Sequence, residues 1–225
     1  MTLVTEATRR SLTRPAWLLV ASLPAFVAYL VAAITLLAGK VESSAELTTA
    51  QMSDLGVGWF AVNLLWVLPS VLAAAGLAVL GPRLPERFPA LSLVPVLAAV
   101  AVALCTAYVV VSSIGFGFDH ATYGESWTYP ASGLLSLGAG WIGTYPATLL
   151  VAVALVRAGI ARRTAVAIAA ILALYWIVEL LVYLPIIVGP DEFADLRGGL
   201  PPFLLGIFWA VLGGGVLRSR VPSEE

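Results

Sequence analysis

Residues 165–188 read AVAIAAILALYWIVELLVYLPIIV, an apolar run with one charged side chain, Glu179, near its middle. A helix crossing a ~30 Å hydrocarbon core needs roughly 17–25 residues, so this stretch is long enough to span a bilayer. Placing a carboxylate there costs at least ~2.5 kcal/mol on insertion scales, which makes an intramembrane acid a functional-site candidate. Five further runs occupy residues 16–38, 57–80, 89–114, 131–156 and 200–217, and none contains a charge. Together they predict an all-α integral membrane protein. The expected fold is a six transmembrane helix bundle, with residues 1–225 as a single polytopic membrane domain. A barrel is excluded, because its strands are ~10 residues long with alternating polarity.

Composition agrees with lipid as the main solvent. Hydrophobic residues make up 60% of the chain and charged residues 11%, against roughly 25% charged in soluble domains. Basic residues concentrate in cytoplasmic loops. Ten of the twelve Lys and Arg fall on one side of the predicted spans, among them Arg9, Arg10, Arg14, Arg83, Arg87, Arg157, Arg162, Arg163, Arg218 and Arg220. Lys40 and Arg197 fall on the other, with eight of the acids. Both termini are therefore expected in the cytoplasm. The first run is too long for the 7–15-residue core of a signal peptide and reads as a retained helix. The Arg-, Ala- and Val-rich usage resembles that of a GC-rich bacterial genome, so the expected location is a bacterial plasma membrane. No nucleic-acid partner is implied. The inner arginines set topology and could also meet anionic headgroups of membrane lipids.

Polar side chains in spans tend to face the bundle interior. Helical spacing aligns Trp59, Asn63, Trp66 and Ser70 on the second span, and Trp141, Tyr145 and Thr148 on the fourth. The fifth aligns Tyr175, Trp176, Glu179 and Tyr183, the third Cys105, Tyr108 and Ser112, and the first Ser22, Phe26 and Tyr29. Trp17, Trp59 and Trp127 suit the interfacial belts that Trp usually occupies. Trp66, Trp141, Trp176 and Trp209 lie deeper. The candidate ligand-binding set is thus Glu179, Asn63, Trp66, Trp141, Tyr145, Tyr175, Trp176, Tyr183 and Trp209, with Glu179 the one catalytic candidate. Pro24, Pro69, Pro95, Pro146 and Pro185 are expected to kink five of the spans. Ser136, Gly140 and Gly143 form a small-residue surface on the fourth span, suited to close packing within the chain or in a homo-oligomer. Ser43 and Glu46 have capping-box spacing, predicting a short surface helix through about Ser53. A second short helix is expected in residues 190–199.

Several chemistries lack their residues. Cys105 is the only cysteine and His120 the only histidine, so no disulfide, thiol pair, haem or metal site is expected, even with Asp119 and Glu125 near His120. No cofactor is implied. No Gly-x-Ser-x-Gly elbow is present. Six spans behind a basic, proline-containing start look superficially like permease subunits of ATP-driven exporters. Those carry a long cytoplasmic segment between spans two and three, where this chain has eight residues. Glu179 among indoles and phenols resembles the arrangement in small integral-membrane terpenoid cyclases, which protonate an isoprenoid with a buried acid and shelter cations with aromatic walls. Such cyclases use more than one acid, and only Glu179 lies at depth here.

The leading functional expectation is a non-enzymatic plasma-membrane protein. It would bind or pass a small lipophilic or cationic ligand in an aromatic cavity around Glu179. The alternatives are an intramembrane isoprenoid-type cyclase or isomerase with Glu179 as general acid, and a structural or accessory membrane subunit.

Overall fold

The computed structural model describes the backbone of residues 6–38, 40, 48–84, 88–118, 125–183 and 202–219. It describes the side chains of these except 6–9, 52, 178–183 and 202–205. The described residues are helical, with no strand among them. In order they form α1 (Glu6–Leu37), α2 (Thr49–Leu80), α3 (Val94–Gly117), α4 (Thr128–Gly138), α5 (Tyr145–Ala158), α6 (Arg162–Tyr183) and α7 (Pro202–Arg218). Among the described residues four stretches are long and apolar enough to cross a membrane: Arg10–Leu37, Ser53–Arg83, Pro89–Gly117 and Thr128–Ala158. The last joins α4 to α5 through a π-helical turn, Ala139–Thr144. A shorter apolar stretch, Gly206–Arg218, belongs to α7.

Consecutive helices are neighbours. α1 packs on α2, α2 on α3, α3 on α4 and α5, α5 on α6 and α6 on α7, and α7 returns to α1. The outward surface is apolar. On α2, Phe60, Leu64, Leu65, Leu68 and Val71 are exposed, while Asn63, Trp66 and Ser70 are buried. That is the reverse of a water-soluble helix and follows the rule for spans, in which polar groups turn to one another. Ser22, Ser112 and Thr148 are likewise buried. Outward hydroxyls are satisfied locally, Thr35 donating to the Val31 carbonyl and Thr106 to that of Val102.

Helix ends explain where the chain turns. α2 begins at a capping box of Thr48 and Gln51, the Gln51 Oε1 accepting from the Thr48 backbone N–H at 2.8 Å. Residues 49–53 of the expected surface helix form the first turn of α2. Ser43 and Glu46, and the helix expected in residues 190–199, lie outside the described residues. α5 ends at Gly159, whose φ of 74° is left-handed. There the Ile160 N–H reaches the Leu155 carbonyl, and this left-handed close suits a residue with no Cβ.

The prolines act in two ways. Pro15 and Pro24 lie inside α1 and Pro69 inside α2. Pro95 stands in the first turn of α3, after a 3-10 segment, Pro89–Leu93. It starts a helix, where a missing N–H costs nothing, and does not kink one as expected. Pro146 opens α5 behind the π turn. Pro185 is outside the described residues.

The charged side chains among the described residues gather at the two ends of the bundle. At the basic end the Arg83 guanidinium donates to the Ser11 carbonyl, tying the end of α2 to α1. Arg157 lies 5.0 Å over the Phe88 ring. At the other end Lys40 stands 3.6 Å from Asp54.

Candidate intramembrane ligand site

Asn63 sits near the middle of α2 on the face that carries Trp59, Val62 and Trp66. Its solvent exposure is 0%. Neither the Oδ1 nor the Nδ2 has a hydrogen-bond partner among the described residues. Each unmet buried polar group costs about 1–3 kcal/mol, and each needs an explanation beyond packing. One turn on, the Trp66 indole N–H is also buried and unpartnered. The two groups lie at i and i+3, and so on one side of α2.

An aromatic box surrounds Trp66. Its ring centroid is 5.6 Å from that of Phe26, 5.2 Å from Tyr29 and 5.9 Å from Tyr108. Phe26 and Tyr29 come from one turn of α1, and Tyr108 from α3. The Tyr29 and Tyr108 side chains interact across the box. Pro24 and Pro69 bracket the box on α1 and α2. A proline interior to a helix leaves the carbonyl four residues back without its N–H partner and weakens the helix there. Both walls of the box therefore carry an interior proline within one turn.

A second aromatic group joins the π turn to α6. Trp141 lies near-parallel to Trp176, at 6.3 Å and 21°. Tyr175 contacts Trp141 at 6.4 Å and Tyr145 at 5.2 Å. The π turn produces this arrangement. The Tyr145 N–H bonds to the Gly140 carbonyl five residues back, and the Thr144 hydroxyl to that of Ala139. A wider turn brings residues four apart closer to one line, so Trp141 and Tyr145 both reach Tyr175. Single π turns occur often at functional sites. The Trp176 indole N–H is buried without a partner among the described residues. Trp209 of α7 is different, since its N–H donates to the Thr148 hydroxyl at 3.0 Å.

The sequence-predicted residues thus fall in two groups, Asn63 and Trp66 against α1 and α3, and Trp141, Tyr145, Tyr175 and Trp176 between α5 and α6. The side chains of Glu179 and Tyr183 lie outside the described residues. The α6 backbone sets position 179 one turn beyond Tyr175 and Trp176. Trp59 lies on the same face of α2 as Asn63 and Trp66. It is buried, with its ring 4.5 Å from Phe116 and its N–H on the Ser112 hydroxyl at 3.2 Å. Trp17 and Trp127 are exposed.

The small-residue surface has work inside the chain. A Cβ at Gly143 would strike Ala101 of α3, and one at Gly140 would lie 2.6 Å from the Tyr145 ring. Ser136 is half-buried.

Phe26, Tyr29 and Tyr108 were not in the sequence-derived ligand set, although their helical faces were legible. What the sequence lacked was the pairing of those faces across three helices.

No protein-family model matches the chain, and neither a curated protein nor a solved structure is significantly similar to it.

Proposed function

We propose that this protein is a polytopic plasma-membrane protein that binds, or passes, a small lipophilic ligand whose polar head is held by Asn63. The reading is carried by the buried, unpartnered amide of Asn63. An Asn at mid-span supplies two N–H donors and one carbonyl acceptor, and Trp66 adds a third donor. A ligand with a carbonyl or hydroxyl head and an apolar body would satisfy these groups. The Phe26, Tyr29, Trp66 and Tyr108 rings would cover its body, and the same faces would also attract a cation. Hinging at Pro24 and Pro69 would let α1 part from α2 for access.

In this reading the chain makes six spans, with α6 and α7 as the fifth and sixth, and both termini cytoplasmic. The gathering of Arg83, Arg157 and their neighbours at one end of the bundle supports that orientation. Organic extraction of the purified protein, followed by mass spectrometry, tests the ligand. Wild type should release a small molecule that Asn63→Leu protein, prepared identically, does not. Equal yields from both would defeat the proposal.

A second reading keeps an enzyme. Tyr175 and Trp176 stand one turn before position 179 on α6, with Trp141 and Tyr145 against them, and these rings would wall a site in which Glu179 serves as general acid. Glu179→Gln preserves shape but cannot release a proton. A Gln variant that folds normally and keeps full cellular function would remove this reading.

A further inference from the structure

A groove of about 580 Å³ lies between the start of α6 and the end of α7, lined by Arg162, Arg163 and Arg218. All three side chains are exposed. Among the described residues none of them has an ion-pair or hydrogen-bond partner, whereas Arg83 and Arg157 are held by Ser11 and Phe88. The groove does not stop at the charges. It continues to Val211 and Ile207 of α7 and to Leu23 of α1. At 1.5 Å per residue, Ile207 lies ~16 Å along α7 from Arg218. One end is therefore tricationic and the other apolar, and the two are joined along the helix axis.

We propose that this groove seats an anionic phospholipid, with its phosphate among the three guanidiniums and an acyl chain along Val211 and Ile207. The proposal rests on the reading of the helices as membrane spans, but not on the ligand of Asn63. Charge selects the occupant. Guanidinium matches a phosphate geometrically, and basic pockets between spans are suited to acidic headgroups. The apolar half selects a lipid over free phosphate, which would leave that surface unused.

Gly214 provides a clean test. It lines the groove, and a Cβ added there meets nothing within 4 Å. A leucine at 214 would grow into the groove without disturbing the α1–α7 contact. Native mass spectrometry of the full chain in neutral detergent, titrated with dioleoyl phosphatidylglycerol or dioleoyl phosphatidylcholine, reads the binding. Phosphatidylglycerol should bind at least ~tenfold more tightly than phosphatidylcholine, and Arg162→Gln and Arg218→Gln should each weaken it roughly fivefold. Gly214→Leu should abolish binding and leave the lipid-free melting temperature unchanged. Equal affinity for the two lipids would overturn the proposal, and so would phosphatidylglycerol binding that ignores these substitutions. Complete displacement by millimolar inorganic phosphate would assign the site to free phosphate and overturn it as well.

Discussion

Trp59 and Trp66 lie two turns apart on one face of α2, and each is 8% exposed. The first has a finished environment, with Phe116 against its ring and Ser112 on its N–H. The second has rings on three sides, and neither its N–H nor either amide atom of the nearby Asn63 has a partner among the described residues. Burial is the same, and polar satisfaction is not. The hydrocarbon around a span offers no partner for such groups. Trp59 is thus accounted for by packing and its hydrogen bond, while Asn63 and Trp66 are the groups that we propose hold a ligand.

Substitution should separate the two places. The largest effect belongs to Trp59→Ala, which deletes a packed indole and should cost about 3–5 kcal/mol, read as a lower melting temperature in detergent. Ligand retention in whatever fraction stays folded should be unaffected. Loss of ligand at full stability would mean that the Trp59 pocket had been misassigned. Next comes Ser112→Ala, which strands the Trp59 N–H and should destabilise by about 1 kcal/mol. No change would show that this hydrogen bond contributes nothing. Smallest is Trp66→Phe. It removes a donor that has no partner, so stability should change by less than about 1 kcal/mol, while ligand affinity falls. A loss as large as that from Trp59→Ala would make Trp66 a strut like its neighbour.

Much of this contrast was legible beforehand. The helical face Trp59–Asn63–Trp66–Ser70 could be read from spacing, and so could the apolar outer surface and the clustering of arginines between spans. The partner of each residue could not be read. Ser112 is 53 residues from Trp59, and only the packing of α3 on α2 decides that it meets Trp59. Pro95 looked like a mid-span kink because the sequence does not reveal that a 3-10 turn precedes it. The π turn has a visible cause in retrospect, a glycine-rich stretch before Pro146, yet period-3.6 reasoning cannot anticipate a locally wider helix. The Arg162–Arg163–Arg218 groove also escaped, because α6 and α7 bring together residues more than fifty positions apart.

Topology offers an independent check on the membrane reading. In a Cys105→Ser background, single cysteines at Ser44, Thr122 and Ala194 should react with impermeant reagent on intact cells, and one at Ser223 should not. Outside labelling of Ser223 would reverse the orientation.

The central claim is that the Asn63 amide is reserved for a ligand, and a pair of melting curves addresses it directly. Wild type and Asn63→Leu would be compared after exhaustive detergent washing, and again as extracted gently with native contents. Washed, the Leu variant should be the more stable by about 1–2 kcal/mol, since an unmet buried amide has been removed. Gently extracted, wild type should regain the lead, because a bound ligand stabilises only the protein that holds it. A Leu variant that is less stable than wild type in both preparations, by the same amount, would show that Asn63 serves the fold and not a ligand.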